Sequence, residues 1–265
     1  MCGVLGVPRS TYYWAISHPE PERADDPIAG DAVRIYEDNR REYGAPTIRR
    51  ALAREGIVAS RRRIKRIMNR KGLVSVYTRK KCKSCAAKAS EAEAPNVLDR
   101  EFDGHPPHTH IVSDLTYVRV GGKWNYVCLL VDLYNREIVG HAASGRKDSR
   151  LVRAAFATLG FPLTDIDVFR TDRGSDFANS DIDDLLEAFG IRRSLSRKGD
   201  PYDNAAIESA NRILKKELVY RRAFADLGQL RRELNSYVRW RNEEGMHSAL
   251  GYMSPVEFRN AGLSL

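Results

Sequence analysis

Long apolar runs are missing from this chain. The longest, Tyr126 to Leu133, falls far short of the roughly 20 residues a helix needs to cross a bilayer, and Asp132 interrupts it. No secretory or lipidation signal is evident, so a cytoplasmic setting is expected. Cysteine is scarce: Cys2, Cys82, Cys85 and Cys128 are the full set, too few and too irregularly spaced for a disulfide framework. Acid is missing from one stretch in particular. Between Arg49 and Lys88 the only carboxylate is Glu55. Residues 1–100 hold 21 Lys/Arg against 12 Asp/Glu, whereas residues 101–265 hold 23 of each, so the whole net charge of +9 sits in the first hundred residues. Positive charge gathered without interspersed acid points to a polyanion, most simply nucleic acid, rather than to a solubilising surface.

The apolar share of 42% over 265 residues suffices for one sizeable core and a smaller domain. Residues 1–27 read as an N-terminal fragment and linker, with Ser10 a possible helix cap before the aromatics of Thr11-Tyr-Tyr-Trp14 and a polar, proline-rich tail; the fragment reads as the end of a domain encoded upstream. Residues 28–77 show helical spacing. Ile28, Val33, Ile35 and Tyr36 mark one helix, and Thr47, Ile48, Leu52 and Ala53 a second. Ser60 caps a third, with Ile64, Ile67 and Met68 on one stripe and Arg61, Arg62, Arg63, Lys65, Arg66 and Arg70 around it. Apolar positions for a bundle and cations for phosphates make this a basic, helix-turn-helix-like DNA-binding module, with Arg61, Arg62, Lys65 and Arg66 as its expected DNA contacts. Residues 78–99 form a linker. Cys82-Lys-Ser-Cys85 within it has a zinc-type spacing, with His105, His108 and His110 downstream, but no apolar residue is at hand for a mini-core, and a flexible cationic tether is the expectation.

From residue 100 the pattern changes to strands. His110 to Val120, Trp124 to Tyr134 and Glu137 to Ala143 read as three strands joined at Gly121-Gly122 and Asn135-Arg136. A helix capped by Asp148, a strand from Asp165 to Thr171, a helix from Ser180, a strand from Ile191 to Ser196 and a helix over about 202–220 follow. Three antiparallel strands and then alternating helices and strands predict an α/β fold: an RNase H-like mixed five-stranded sheet with flanking helices over 100–222, preceded by the small all-α module. A helical extension over 223–265 completes the chain.

In that order Asp114 lies on the first strand, Asp172 ends the fourth, and Glu208 returns on a helix with thirty-five residues between the last two acids. If the fourth strand lies beside the first, Asp114 and Asp172 become neighbours. Three converging carboxylates are what two divalent ions need to activate an attacking oxygen and stabilise a leaving one in phosphoryl transfer.

The residues also carry a resemblance. Val112-Ser-Asp-Leu-Thr-Tyr117, Thr171-Asp-Arg-Gly-Ser175 and the long block Ser194-Leu-Ser-Arg-Lys-Gly-Asp-Pro-Tyr-Asp-Asn-Ala-Ala-Ile-Glu-Ser209 resemble the second-reading-frame transposases of the insertion-sequence-three family, from about residue 28 to the end. The closing His247-Ser-Ala-Leu-Gly-Tyr-Met-Ser-Pro-Val-Glu-Phe258 belongs to the same likeness. The resemblance implies a retroviral-integrase-like core in which Asp114, Asp172 and Glu208 are catalytic and hold two Mg2+ or Mn2+ ions, with Lys215 on the transposon end. It implies cleavage and strand transfer on transposon ends and target DNA, a homo-oligomer on DNA, and fusion to or action with an upstream-frame protein. Asp176 departs from it, standing where a glutamine is usual.

Other acids have plainer readings. Asp132 is expected to cap a turn and Asp203 a helix, while Asp181, Asp183 and Asp184 suit a helix N-terminus. Arg173, Arg197, Lys198 and Asn204 flank the expected active edge and are candidate DNA contacts. The rivals are a catalytically decayed DNA-binding regulator, which should have lost a carboxylate, and an RNase H-type nuclease, which leaves the basic front module unexplained.

Overall fold

A computed structural model describes residues 8–17, 26–77, 103–195 and 205–265. The chain divides into two compact units, residues 1–74 and 75–265. None of the helices among the described residues is long and apolar enough to cross a membrane.

In the first unit α1 spans Arg9–Ser17 and takes Ser10 inside the helix rather than at its cap. Helices α2 (Ala29–Asp38), α3 (Ala45–Arg54) and α4 (Arg61–Arg70) pack together through Ala32, Ile35, Ile48, Leu52, Ile64 and Ile67, all buried. The Ser60 hydroxyl accepts the Arg63 amide and so opens α4, as its sequence predicts. Arg63 is the one arginine of this run turned inward. Its guanidinium donates to both oxygens of Asp26 at 2.8 and 2.6 Å, which holds that carboxyl below its usual range and ties the chain before α2 to α4. Arg61, Arg62, Lys65 and Arg66 remain exposed.

The second unit is built on a five-stranded sheet. Its strands are β1 (His110–Val120), β2 (Lys123–Asp132), β3 (Ile138–Ser144), β4 (Val168–Thr171) and β5 (Arg192–Leu195), in the spatial order β3-β2-β1-β4-β5. The β1–β2 and β2–β3 pairs are antiparallel, and β1–β4 and β4–β5 parallel. Gly121 and Gly122 both take positive φ, as a two-residue hairpin between twisted strands requires. The fourth strand is shorter than its apolar run suggests, because Leu163–Asp165 form a 3-10 turn before it.

One face of the sheet is covered by α5 (Ser149–Phe156) and α6 (Ser180–Ala188). Ile111, Cys128, Leu130, Leu151, Phe156, Phe169, Ile182 and Leu186 make up much of that core. Asp148 and Asn179 cap these helices by accepting the amides of Leu151 and Ile182. Further on lie α7 (Ala205–Glu217), which packs along β1 and β2, and α8 (Leu227–Glu243), which packs on β3. Buried Glu217, at the end of α7, accepts hydrogen bonds from the hydroxyls of Tyr237 (2.8 Å) and Tyr77, with Arg241 at 3.5 Å. The last helix, α9 (Pro255–Asn260), opens with a Ser254/Glu257 capping box, and Arg259 reaches Glu137 beside β3. Cys82, Cys85 and the linker 78–99 lie outside the described residues.

Candidate active site

The parallel register of β1 and β4 does the first part of the assembly. Val112 stands opposite Arg170, so two steps further along each strand direction bring Asp114, in the middle of β1, level with Asp172, just past the end of β4. The adjacency that the sequence only made conditional is thus present. Asp172 lies just beyond the last residue of β4, where its Oδ1 accepts the Gly174 amide at 3.0 Å and closes the turn. Gly174 has a local reason to be glycine: a Cβ there would lie 3.0 Å from Asp172 Oδ1 and 3.3 Å from Asp176 Oδ2. Arg173 is half-buried in that turn.

The second part comes from α7. Glu208, Asn211 and Lys215 are spaced i, i+3, i+7 and share one helix face. Asn211 Nδ2 donates to Asp114 Oδ2 at 2.9 Å, while the Leu115 amide donates to Oδ1 at 2.7 Å. Lys215 Nζ lies 4.2 Å from the centroid of the Tyr117 ring. Glu208, in the first turn of α7, is exposed.

Charge is crowded here. Burial, and then the negative charge of Asp172, push the Asp114 carboxyl up to about 6, with a smaller push from Glu208; the hydrogen bonds from Leu115 and Asn211 act in the opposite direction. Asp114 thus feels both other acids, yet among the described residues no three His, Cys, Asp or Glu side chains are grouped to share one ion. The donor set is nonetheless what hard divalent cations take: carboxylate oxygens, with the Asn211 amide oxygen beside Asp114 buried and without a hydrogen-bond partner among the described residues. Such an orphaned acceptor suits a site meant for an ion or its water shell.

Two side chains here escaped sequence reasoning. Lys147, in the segment between β3 and α5, donates to buried Asp176 at 2.6 Å. That bond raises the lysine above its ordinary range, and the charges of Asp172 and Asp114 add to the effect. The available signal was Asp176 itself, an acid in place of a neutral amide, which needs a cation once buried. For Asn211 the signal was its i+3 spacing from Glu208. Asp132 caps as expected, accepting the amides of His108 (2.8 Å) and Tyr134 (3.0 Å). Arg197, Lys198, Asp203 and Asn204 lie outside the described residues.

Comparison with known proteins adds the family context. An integrase core domain model matches residues 104–201, another of the same description matches 189–255, and an HTH-like domain model matches 23–81. The putative transposase InsK for insertion sequence element IS150 of Escherichia coli is 30% identical over 96% of this chain and 90% of its own. The insertion element IS600 31 kDa protein of Shigella sonnei is 32% identical over 98% and 97%. Among solved structures, the simian T-cell lymphotropic virus intasome aligns with a TM-score of 0.51 at 15% identity, over 86% of this chain and 73% of that one, a likeness of fold.

Proposed function

The chain belongs to the insertion-sequence transposases with an integrase core and an HTH-like domain, and from that we propose that Asp114, Asp172 and Glu208 are its catalytic acids and metal ligands. It is an enzyme of polynucleotidyl transfer, and its partner is DNA. The reading rests on one observation above all: the β1–β4 register that sets Asp114 level with Asp172, under a helix carrying Glu208 and Asn211.

Two Mg2+ or Mn2+ ions held by the three acids would activate the attacking oxygen and stabilise the leaving one. The chain's own residues do the rest. Asn211 fixes the rotamer of Asp114, and the Gly174 amide fixes that of Asp172, so two ligands are oriented before anything binds. Lys215, on the same helix face as Glu208, contacts the phosphates of the transposon end, and Arg173 approaches them from the Asp172 turn. Arg197, Lys198 and Asn204 are further DNA contacts in this reading. Arg61, Arg62, Lys65 and Arg66 on α4 engage DNA through its backbone. With these parts the enzyme hydrolyses a phosphodiester at the element's end and directs the released 3′-hydroxyl at another phosphodiester, working as a homo-oligomer in the bacterial cytoplasm, with or fused to an upstream-frame protein.

The test is Asp172→Asn. Strand transfer on a duplex carrying the element's ends should vanish, with the thermal midpoint within a few degrees of the parent. Joining at the parental rate would sink the assignment.

A further inference from the structure

Beyond the acids, α7 continues along β1 to a concavity of about 510 Å3, within the usual range of a ligand site. Tyr117, Arg119, Trp124, Lys215, Tyr220 and Arg222 line it, and among its described lining residues none is acidic. Three of these are large aromatic rings left about half exposed: Tyr117 at 52%, Trp124 at 55% and Tyr220 at 53%. The alternation of β1 accounts for part of this, since Tyr117 and Arg119 point outward between buried Val118 and Val120. So much aromatic surface gathered in one place, interleaved with cations, marks a binding site rather than incidental exposure.

We propose that this groove binds unpaired nucleotides of a DNA strand, stacking bases on Trp124 and Tyr220 while Lys215 and Arg119 hold the phosphates. The proposal deepens the transposase reading and rests on it. Its ligand class follows from shape and charge. The rings carry cations beside them: Arg119 lies 5.7 Å from the Trp124 centroid and Lys215 4.2 Å from that of Tyr117, and Tyr117 meets Trp124 edge to face at 5.3 Å. Rings and cations in one concavity are the arrangement that takes single strands, because a ring stacks on any base and a cation meets any phosphate. Duplex DNA hides its base faces, so it would leave these rings unused.

The groove is firm and connected to the site. Its floor is tied by the Gly121 amide donating to Phe224 O at 2.9 Å and by a parallel bridge between Val120 and Phe224. Asn211 touches Asp114 and Lys215 touches Tyr117, so one helix face spans acids and groove. From Glu208 to Lys215 the axis rises about 10 Å, at most roughly three nucleotides, since an unstacked strand extends further per base than the ~3.4 Å of a stacked one. A strand whose phosphate lies at the acids therefore reaches the rings within a few nucleotides, provided its bases are unstacked.

The experiment compares full-length protein and variants for binding to fluorescein-labelled oligo(dT) of about 12 nucleotides and to a blunt duplex of similar length, by anisotropy at fixed salt. Trp124→Ala and Tyr220→Ala should each weaken oligo(dT) binding about tenfold, and together more, with duplex binding changed less than about twofold. Trp124→Phe, which keeps a ring, should stay within about threefold of the parent. Unchanged oligo(dT) affinity in the double variant, equal losses on both DNAs, or Trp124→Phe as damaging as Trp124→Ala overturns the proposal. Thermal midpoints establish that each variant is folded. The catalytic reading fails separately: intact oligo(dT) discrimination without any metal-dependent joining by the parent would leave the groove and remove the transposase chemistry.

Discussion

Asn211 donates to Asp114 across 2.9 Å from the helix face that also carries Glu208, so the position of one acid depends on the helix that delivers another. A hydrogen bond to a carboxylate contributes about 1.5–3 kcal/mol when buried, but its larger effect is on geometry, since it selects one rotamer of Asp114. Asn211→Ala is expected to lower metal-dependent joining and Mn2+ affinity by about 10- to 100-fold, the usual cost of losing an orienting partner. Calorimetric titration of Mn2+ checks the affinity and urea unfolding the stability. Parental Mn2+ affinity in a folded variant would show that Asn211 orients nothing.

The Lys147–Asp176 bond makes a different kind of prediction, about stability. Asp176 is 7% exposed and its partner 46%, so one end of the pair is nearly dry and the other half in water. Lys147→Met strands the buried carboxylate and should cost about 1–3 kcal/mol. Adding Asp176→Gln should recover most of the loss, because a neutral amide needs no cation. A double-mutant cycle in urea measures the coupling; additive losses would mean that the pair does not interact in solution.

Why the sheet could be read from sequence and the pair could not is a matter of range. The strands of the hairpin announce themselves through β-branched runs and the Gly121-Gly122 turn, and the caps Ser60 and Asp148 through side chains that act within three residues. These are local rules. The β1–β4 pairing that makes neighbours of Asp114 and Asp172 is not local, and only the strand order decides it. Lys147 and Asp176 come from segments on either side of α5 and β4, with no periodicity linking them. Arg63 shows the converse difficulty: among a run of arginines its sequence looks like its neighbours', and only Asp26, far back in the chain, turns it into a clamp. The groove residues were visible singly, as aromatics and cations in a strand pair and a helix end, but nothing in their spacing says that they share a concavity.

A pH dependence follows from His110, at the start of β1. Its ring stacks on His105 at 3.9 Å, and its Nδ1 lies 2.9 Å from the Thr109 hydroxyl. Burial, with His105 and Arg192 adding to it and Asp167 opposing, pulls the imidazole down from about 6.5 to about 4. The unfolded chain therefore binds a proton below about pH 6.5 that the folded chain refuses until about pH 4, so stability is lost as pH drops through that window and is fully present above it. His110→Gln removes this contribution. The difference in unfolding free energy between parent and variant should slope between pH 4 and 6.5 and be flat from 7 to 8, as urea titrations at stepped pH would show. A difference that is level throughout would mean that the imidazole titrates normally.

The exposed cations of α4 set the last expectation. Arg61, Arg62, Lys65 and Arg66 face solvent while Ile64, Ile67 and Met68 hold the bundle, so replacing the four with glutamine leaves the core untouched. Glutamine also keeps good helix propensity, and Arg63 stays on Asp26. If the four contact phosphates, each lost contact should flatten the plot of log affinity against log salt by about 0.9 and weaken binding most at low salt. The loss should be nearly the same on unrelated duplexes, because backbone contacts position the protein without reading bases. An unchanged salt slope in the quadruple variant would move the DNA-binding role of the front module elsewhere. A loss confined to one sequence would instead mean that α4 reads base edges, and its side chains would then have to enter a groove rather than lie along the backbone.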